Sequence, residues 1–478
     1  MSNIAQLSAR ERITSLLDDN SFVEVGAFVT KRSTDFNLGQ KEVPNDGVIT
    51  GYGLIDGNPV YVFSQDASSL GGSVGEMHAR KITRVYDLAL KVGAPVIGLI
   101  DSSGMRLQEA TDALNAFGEI FLKQVEASGV IPQITAVFGN CGGGLSVMAS
   151  LSDFSFIEGN NARMFLQSPN SLQGNNKQKL DTSGAAFNAK SGTVDYVGTT
   201  DVDVLNKIRE LIVLLPSNNE EDGCVIDCSD DLNRLVPGFA QELEDTKHAI
   251  IDISDNHYFF EVKPEHAKEM VTGFIRLNGM TVGAIANRTK ILDENGKVAE
   301  QFDACLTTDG CKKAAGFVRF CDSFGIPVLT LTNVNGYKAD VNEEKTIAKA
   351  SAELTYAFAD ATVPKVNLIV GKAYASAYIS MNSKHIGADM VFALPNAEIG
   401  MMDAKLAAQI VYEGESAEVI NEKSAEYSNL QNGAQSAAKR GYVDNIIEPE
   451  SVRKHLIYAF EMLFTKSESR PFKKHGSF

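Results

Sequence analysis

Val137-Phe138-Gly139-Asn140-Cys141-Gly142-Gly143-Gly144-Leu145-Ser146-Val147-Met148-Ala149 is the stretch from which the rest of the chain is read. The apolar run Ile131–Phe138 predicts a buried strand, and the small and apolar residues from Gly144 predict the start of a helix. A strand–turn–helix order leaves unpaired backbone N–H groups at the helix start, facing whatever lies above the turn. Glycines let a ligand come close to those amides. Such a turn suits a group that is gaining negative charge.

Two nucleotide-binding patterns fail on residues. A phosphate-binding P-loop needs Gly-Lys-Ser/Thr, but Leu145 follows Gly144; the dinucleotide pattern needs a glycine where Cys141 stands. The turn taken alone fits equally a tight strand–helix connection with no ligand. A second copy of the same architecture changes that balance.

Gly325-Ile326-Pro327-Val328 matches Gly93-Ala94-Pro95-Val96, and Asn333-Val334-Asn335-Gly336 matches Asp101-Ser102-Ser103-Gly104. Val363-Pro364-Lys365-Val366 matches Ile131-Pro132-Gln133-Ile134, and Gly371 matches Gly139. Each pair of landmarks is 232 residues apart (325 − 93 = 371 − 139 = 232). Turn glycines and prolines answer to backbone geometry, so five in one register mark a repeated fold. The reading is α/β, with two tandem domains: an N-terminal one over residues 1–228 and a C-terminal one over 232–478. A polar, acidic connector from Pro216 towards Pro237 joins them. Strands are expected at Val48–Ile55, Val60–Gln65 and Val96–Ile100, and helices over about Ala5–Asp19, from near Val74 to Lys91, and over Leu107–Glu126. The charged segment Glu413–Gln435 is expected as a helical pair.

At 478 residues with 44% hydrophobic and 22% charged, the chain is long enough for two or three domains with sizeable cores. A net charge of −17 argues against a nucleic-acid partner. The six cysteines, Cys141, Cys224, Cys228, Cys305, Cys311 and Cys321, form no Cys-x-x-Cys pair; free thiols and no metal site are expected. The first residues do not read as a signal peptide, and no run approaches the roughly twenty apolar residues of a membrane span. A cytoplasmic location follows as the expectation.

In the second half, Ala375 and Ser376 fall opposite Gly143 and Gly144, again after an apolar run, Val366–Val370. Two amide-lined turns suggest a reaction in which two carbonyl oxygens gain charge, one on each of two substrates. The side chains offer little else. No histidine pair has metal-ligand spacing, no Gly-x-Ser-x-Gly elbow surrounds Ser64, Ser68 or Ser73, and Asp101 with Glu109 is the nearest approach to an acid/base pair. Asp101 at a strand end also suits a cap or turn.

Several motifs together resemble the carboxyltransferase subunits of biotin-dependent acyl-CoA carboxylases of the propionyl-CoA carboxylase β type, and those of sodium-pumping decarboxylases such as methylmalonyl-CoA decarboxylase. They include Phe63-Ser64-Gln65-Asp66, Gly71-Gly72-Ser73, Asp101–Glu109, Asn140–Gly144, Gly273–Gly279, Phe317–Asp322, Ala361–Val366, Lys372-Ala373-Tyr374 and the tail Glu468–Gly476. The resemblance implies a crotonase-like (ClpP/crotonase superfamily) fold in each half and a homohexamer built as a trimer of dimers. It implies that acyl-CoA binds the N-terminal half, with Gly143 and Gly144 amides on the thioester oxygen. Biotin, carried on a separate protein, would meet the C-terminal half, with the amides of Ser376 and Ala377 on the ureido oxygen. Gly71, Gly72, Arg106, Gly142, Ala375 and Gly336 are the binding residues it implies. The partners it implies are a biotin carboxyl carrier protein and either a biotin carboxylase or a membrane decarboxylase subunit. Neither a Met-Lys-Met biotin-attachment motif nor a carboxylase domain occurs in the sequence.

The chain departs from the family at Ala375-Ser376, where Gly-Gly is usual, at Val334-Asn335-Gly336-Tyr337 and at Ser103. A carboxyltransferase for a short-chain acyl-CoA is the leading reading. The alternatives are a decarboxylase subunit of a sodium-pumping enzyme, a crotonase-like hydratase or hydrolase using Glu109, and a non-catalytic scaffold for biotin enzymes.

Overall fold

A computed structural model describes residues 6–32, 43, 45–221, 225–471 and 476. The chain divides into two compact units, Met1–Asp222 and Gly223–Phe478. The division falls within the acidic connector that begins at Pro216. Cys224 and His475, and Ala5 at the start of the expected first helix, lie outside the described residues.

Unit 1 opens with helix α1 (Ala9–Leu16), whose Ser8 and Glu11 form a reciprocal capping box. The sheet contains β1 (Val23–Glu24), β2 (Val48–Ile55), β3 (Asn58–Gln65), β4 (Val96–Ser102), β5 (Gln133–Gly142), β6 (Phe154–Glu158), β7 (Arg163–Phe165) and β8 (Tyr196–Gly198). Its order is β1-β2-β3-β4-β5-β6-β8, with β7 paired to β5. Strands β2 and β3 are an antiparallel hairpin turned by Asp56-Gly57, both at positive φ, as a two-residue turn of the twist-matched kind requires. From β3 onward the pairs are parallel, so their connections are crossovers: α2 (Glu76–Val92) and α3 (Ala110–Ala127). Val96-Ile97-Gly98-Leu99-Ile100 is buried throughout because helices cover the sheet. Tyr86 of α2, Ile120 of α3 and Met148 of the short helix α4 (Gly144–Ser150) pack into one core with these strands. Helix α5 (Asp201–Leu214) follows β8.

The helix expected over Leu107–Glu126 is interrupted. Leu107–Glu109 is a single 3-10 turn, and Ala110 stands at φ 47° before α3 begins. The break accompanies the inward turn of Arg106 and Glu109, which form a buried ion pair.

Unit 2 repeats the plan. Its sheet contains β9 (Phe260–Glu261), β10 (Met270–Leu277), β11 (Met280–Asn287), β12 (Val328–Val334), β13 (Lys365–Tyr374), β14 (Met390–Ala393), β15 (Glu398–Gly400) and β16 (Asn445–Ile446). The order is β9-β10-β11-β12-β13-β14-β16, with β15 paired to β13. Each strand n of unit 1 therefore has its counterpart at n + 8. Asn278-Gly279 turns the hairpin, and α6 (Thr308–Ser323), α7 (Ile347–Asp360) and α8 (Ala375–Ser380) correspond to α2, α3 and α4. Even a buried lysine recurs: Lys81 donates to the carbonyls of Asn45 and Val48, and Lys313, 232 residues on, donates to those of Lys263 and His266. The charged segment expected as a helical pair forms α9 (Ala404–Val411) and α10 (Ala417–Tyr427), with a π turn Ser428–Asn432 beyond them. Helix α11 (Val452–Leu463) packs Leu456 and Phe460 into the unit 2 core.

Candidate active site

In unit 1 the strand β5 ends at Gly142 and α4 begins at Gly144. Gly143 joins them at φ 62°, ψ −128°, a conformation open in practice only to glycine. Its N–H donates to the carbonyl of Phe165 at 2.9 Å. The expectation that the Gly143 amide holds a substrate oxygen is therefore corrected: β7 occupies that donor. The amides of Gly144 and Leu145, at the first two positions of α4, have no hydrogen-bond acceptor among the described residues. They are the donors this turn offers. Gly142 backs the turn, where a Cβ would come within 2.9 Å of the Phe165 ring. Cys141 is fully buried, and burial pushes its thiol up to about 12, so it is no nucleophile.

Gly71-Gly72-Ser73 is fastened to the end of β4. Ser103 N–H donates to Gly71 O at 2.8 Å, and Ser102 Oγ to Gly72 O at 2.6 Å. Arg106 holds the same loop from beneath. Its Nη2 donates to Ser73 O at 2.7 Å and its Nε to Ser73 Oγ at 3.2 Å, while Nη1 pairs with Asp46 at 2.6 Å and Glu109 at 2.8 Å. At 2% exposure the guanidinium is spent inside the unit. Arg106, expected among the ligand-binding residues, is a positioning residue for the loop, because its donors face Ser73, Asp46 and Glu109.

The carboxylates are equally committed. Glu109 accepts from Arg106 and, at 2.6 Å, from the N–H of Glu76, at the start of α2. Asp101 pairs with Arg12 at 3.2 Å and lies against Gly139, where a Cβ would meet its Oδ1 at 1.9 Å. His78 is fully buried between Asp46 and Gln65, and burial pushes its imidazole down to about 3. The acid/base pair contemplated from Asp101 and Glu109 is thus two structural ion pairs.

In unit 2, β13 ends at Tyr374 and α8 begins at Ala375, which stands at φ 56°. The amides of Ser376 and Ala377 have no acceptor among the described residues. They lie in register with Gly144 and Leu145, 232 residues apart in each case (376 − 144 = 377 − 145 = 232). Beside them opens a cavity of about 490 Å³, lined by Ala375, Ser376, Tyr378, Ile379, Met401 and Tyr442 among others. Arg440 and Gln431 supply its polar side chains. Behind the turn the Tyr374 hydroxyl donates to Glu398, joining β13 to β15; burial, then that carboxylate, holds the phenol well above its ordinary range. Gly336 pairs with Cys305, and the adjoining Tyr337 donates from its hydroxyl to Ser376 Oγ at 3.3 Å.

Leu145, Tyr337 and Glu398 were not among the expected site residues. Leu145 was legible: subtracting the repeat from Ala377 points to it. Tyr337 and Glu398 reach the turn only through strand pairing, which sequence spacing does not report. In both units the arrangement supplies paired backbone donors to an oxygen gaining charge, with no side-chain base held ready beside them.

The chain matches the family described as Carboxyl transferase domain over residues 4–478. It is 41% identical over 484 residues to the methylmalonyl-CoA decarboxylase subunit alpha of Veillonella parvula, covering 99% of this chain and 93% of that protein. It is also 41% identical over 486 residues, with the same coverage, to the propionyl-CoA carboxylase beta chain of Roseobacter denitrificans. A solved structure of transcarboxylase 12S with hydrolysed methylmalonyl-coenzyme A bound superposes with a TM-score of 0.91 at 37% identity, covering 99% and 93% of the two chains. The two α/β units are the tandem crotonase-like domains of a carboxyltransferase. This chain belongs to the carboxyl transferase family and is an enzyme of that class.

Proposed function

We propose that this chain transfers a carboxyl group between biotin on a separate carrier protein and the α-carbon of a short-chain acyl-CoA. The observation that carries the reading is the register-matched pair of unpartnered amides, Gly144/Leu145 and Ser376/Ala377, with the nearby carboxylates Asp101 and Glu109 tied up. The Gly144 and Leu145 amides stabilise the thioester oxygen as the α-carbon becomes carbanionic. Preorganised donors of this kind are worth roughly 3–4 kcal/mol each at a developing oxyanion. The Ser376 and Ala377 amides receive the ureido oxygen, and the 490 Å³ cavity beside them, apolar on Ile379 and Met401 and aromatic on Tyr378 and Tyr442, fits a compact bicyclic ring. Biotin, when bound, supplies the carboxyl carrier and the nitrogen that exchanges with the α-proton. Gly71-Gly72, held by Ser102, Ser103 and Arg106, forms part of the acyl-CoA side.

A carboxylase chain and a decarboxylase chain are equally similar to this one, so the transfer itself is the shared chemistry. The reading assigns the biotinyl carrier, and a biotin carboxylase or membrane decarboxylase subunit, to partner chains, and expects a cytoplasmic homohexamer. Among the described residues no helix is long and apolar enough to cross a membrane. The hydratase alternative loses its base because Glu109 is buried and doubly engaged.

The test is incubation of the purified chain with methylmalonyl-CoA or malonyl-CoA, with and without free biotin. Biotin-dependent appearance of propionyl-CoA or acetyl-CoA is expected. No turnover across such thioesters would overturn the reading.

A further inference from the structure

We infer that the Ser376 hydroxyl is a third hydrogen-bond donor to the ligand oxygen in the unit 2 cavity, oriented by Tyr337. The inference rests on the proposed function, which places a cyclic urea there. Ser376 is exposed and lines the cavity. Tyr337 donates its hydroxyl proton to Ser376 Oγ at 3.3 Å. A serine hydroxyl has one proton and two lone pairs. With one lone pair taken by Tyr337, its own proton has no protein acceptor among the described residues and is left for a ligand.

Tyr337 is well placed to do this. Its backbone pairs with Leu306, and the N–H of the next residue, Lys338, donates to Leu306 O at 2.9 Å, so the strand fixes where the phenol reaches. The register mate of Ser376 in unit 1 is Gly144, which has no side chain. The two turns thus differ by one donor. A urea oxygen, fed by two nitrogens, is a stronger acceptor than a thioester oxygen, and the extra donor stands on the side where the urea is proposed to bind.

The hydroxyl stays intact in this role and no bond is made or broken. The experiment compares wild type with Ser376→Ala, Ser376→Thr, Tyr337→Phe and the Ser376→Ala/Tyr337→Phe double variant, in biotin-dependent decarboxylation of methylmalonyl-CoA. Melting temperatures check the fold. Ser376→Ala is expected to raise the KM for biotin roughly five- to tenfold, the range of one neutral hydrogen bond, with the KM for methylmalonyl-CoA unchanged. Ser376→Thr restores the wild-type value. Tyr337→Phe raises the same KM less, and the double variant is no worse than Ser376→Ala, because Tyr337 acts through Ser376. A folded Ser376→Ala with the wild-type KM for biotin, or a Tyr337→Phe effect that persists undiminished in the Ser376→Ala background, overturns the inference while leaving the proposed function standing. A wild-type protein without biotin-dependent turnover removes both.

Discussion

Ala375 adopts φ 56°, the same positive φ that Gly143 adopts (62°) at the equivalent position of the first repeat. An alanine pays sterically for a conformation that a glycine enters freely. Ala375→Gly should therefore stabilise the protein by about 1 kcal/mol net of the glycine's greater unfolded-state entropy. Chemical denaturation reads this directly, and a lower midpoint for the glycine variant would contradict the strain.

The same repeat argument separates donors from structure at the first turn. Gly144→Pro deletes one amide at the first helical position, where proline is tolerated, and its ring must displace Phe117 slightly from a 3.1 Å approach. The biotin-dependent turnover number should fall roughly 10²–10³-fold. Retained turnover in a folded variant would show that this N–H does not meet the substrate.

Arg106→Ala strands the Asp46 and Glu109 carboxylates in the core; burial already pushes Asp46 up against the pull of Arg106. The expected loss is about 3–5 kcal/mol of unfolding free energy. A variant of wild-type stability with only a raised KM for acyl-CoA would instead return Arg106 to the ligand.

Lys313→Met removes the ammonium that donates to the carbonyls of Lys263 and His266. Leaving those acceptors buried without a donor should cost about 2–3 kcal/mol. Urea titration followed by far-UV circular dichroism measures it, and a loss under half a kcal/mol, taken as roughly the range of ordinary surface substitutions, would refute the clamp.

His78 has a pH signature. Its ordinary value is 6.5, and in the folded chain burial pushes it down to about 3. The unfolded chain therefore binds the extra proton within that interval, and the stability due to neutral His78 is present above 6.5 and lost as pH falls, by up to about 1.4 kcal/mol per pH unit. Asp153, pushed up to about 7 by burial, works in the opposite sense, so the comparison is wild type against His78→Gln. The variant should show a shallower acid-side slope; identical slopes would refute a neutral buried imidazole.

Much of the architecture was legible in residue order. Gly93, Pro95, Gly104, Pro132 and Gly139 with their mates announced two copies of one fold, because turns and crossovers constrain glycine and proline locally. The strands at Val48, Val96 and Ile131 were visible as apolar runs. The break at Ala110 was not, since it depends on Arg106 reaching across to Asp46, sixty residues away in sequence.

The turn at Gly142–Gly144 was recognisable as an anion cradle from composition alone, but which amides face outward was not. That Gly143 donates to Phe165 follows from β7 lying beside β5, a pairing between segments that no local pattern encodes. Tyr337 likewise reaches Ser376 because Gly336-Tyr337 pairs with Cys305-Leu306. Residue type and spacing determine what a backbone segment can offer. Only long-range strand pairing decides which of those donors is already taken and which is left for a substrate.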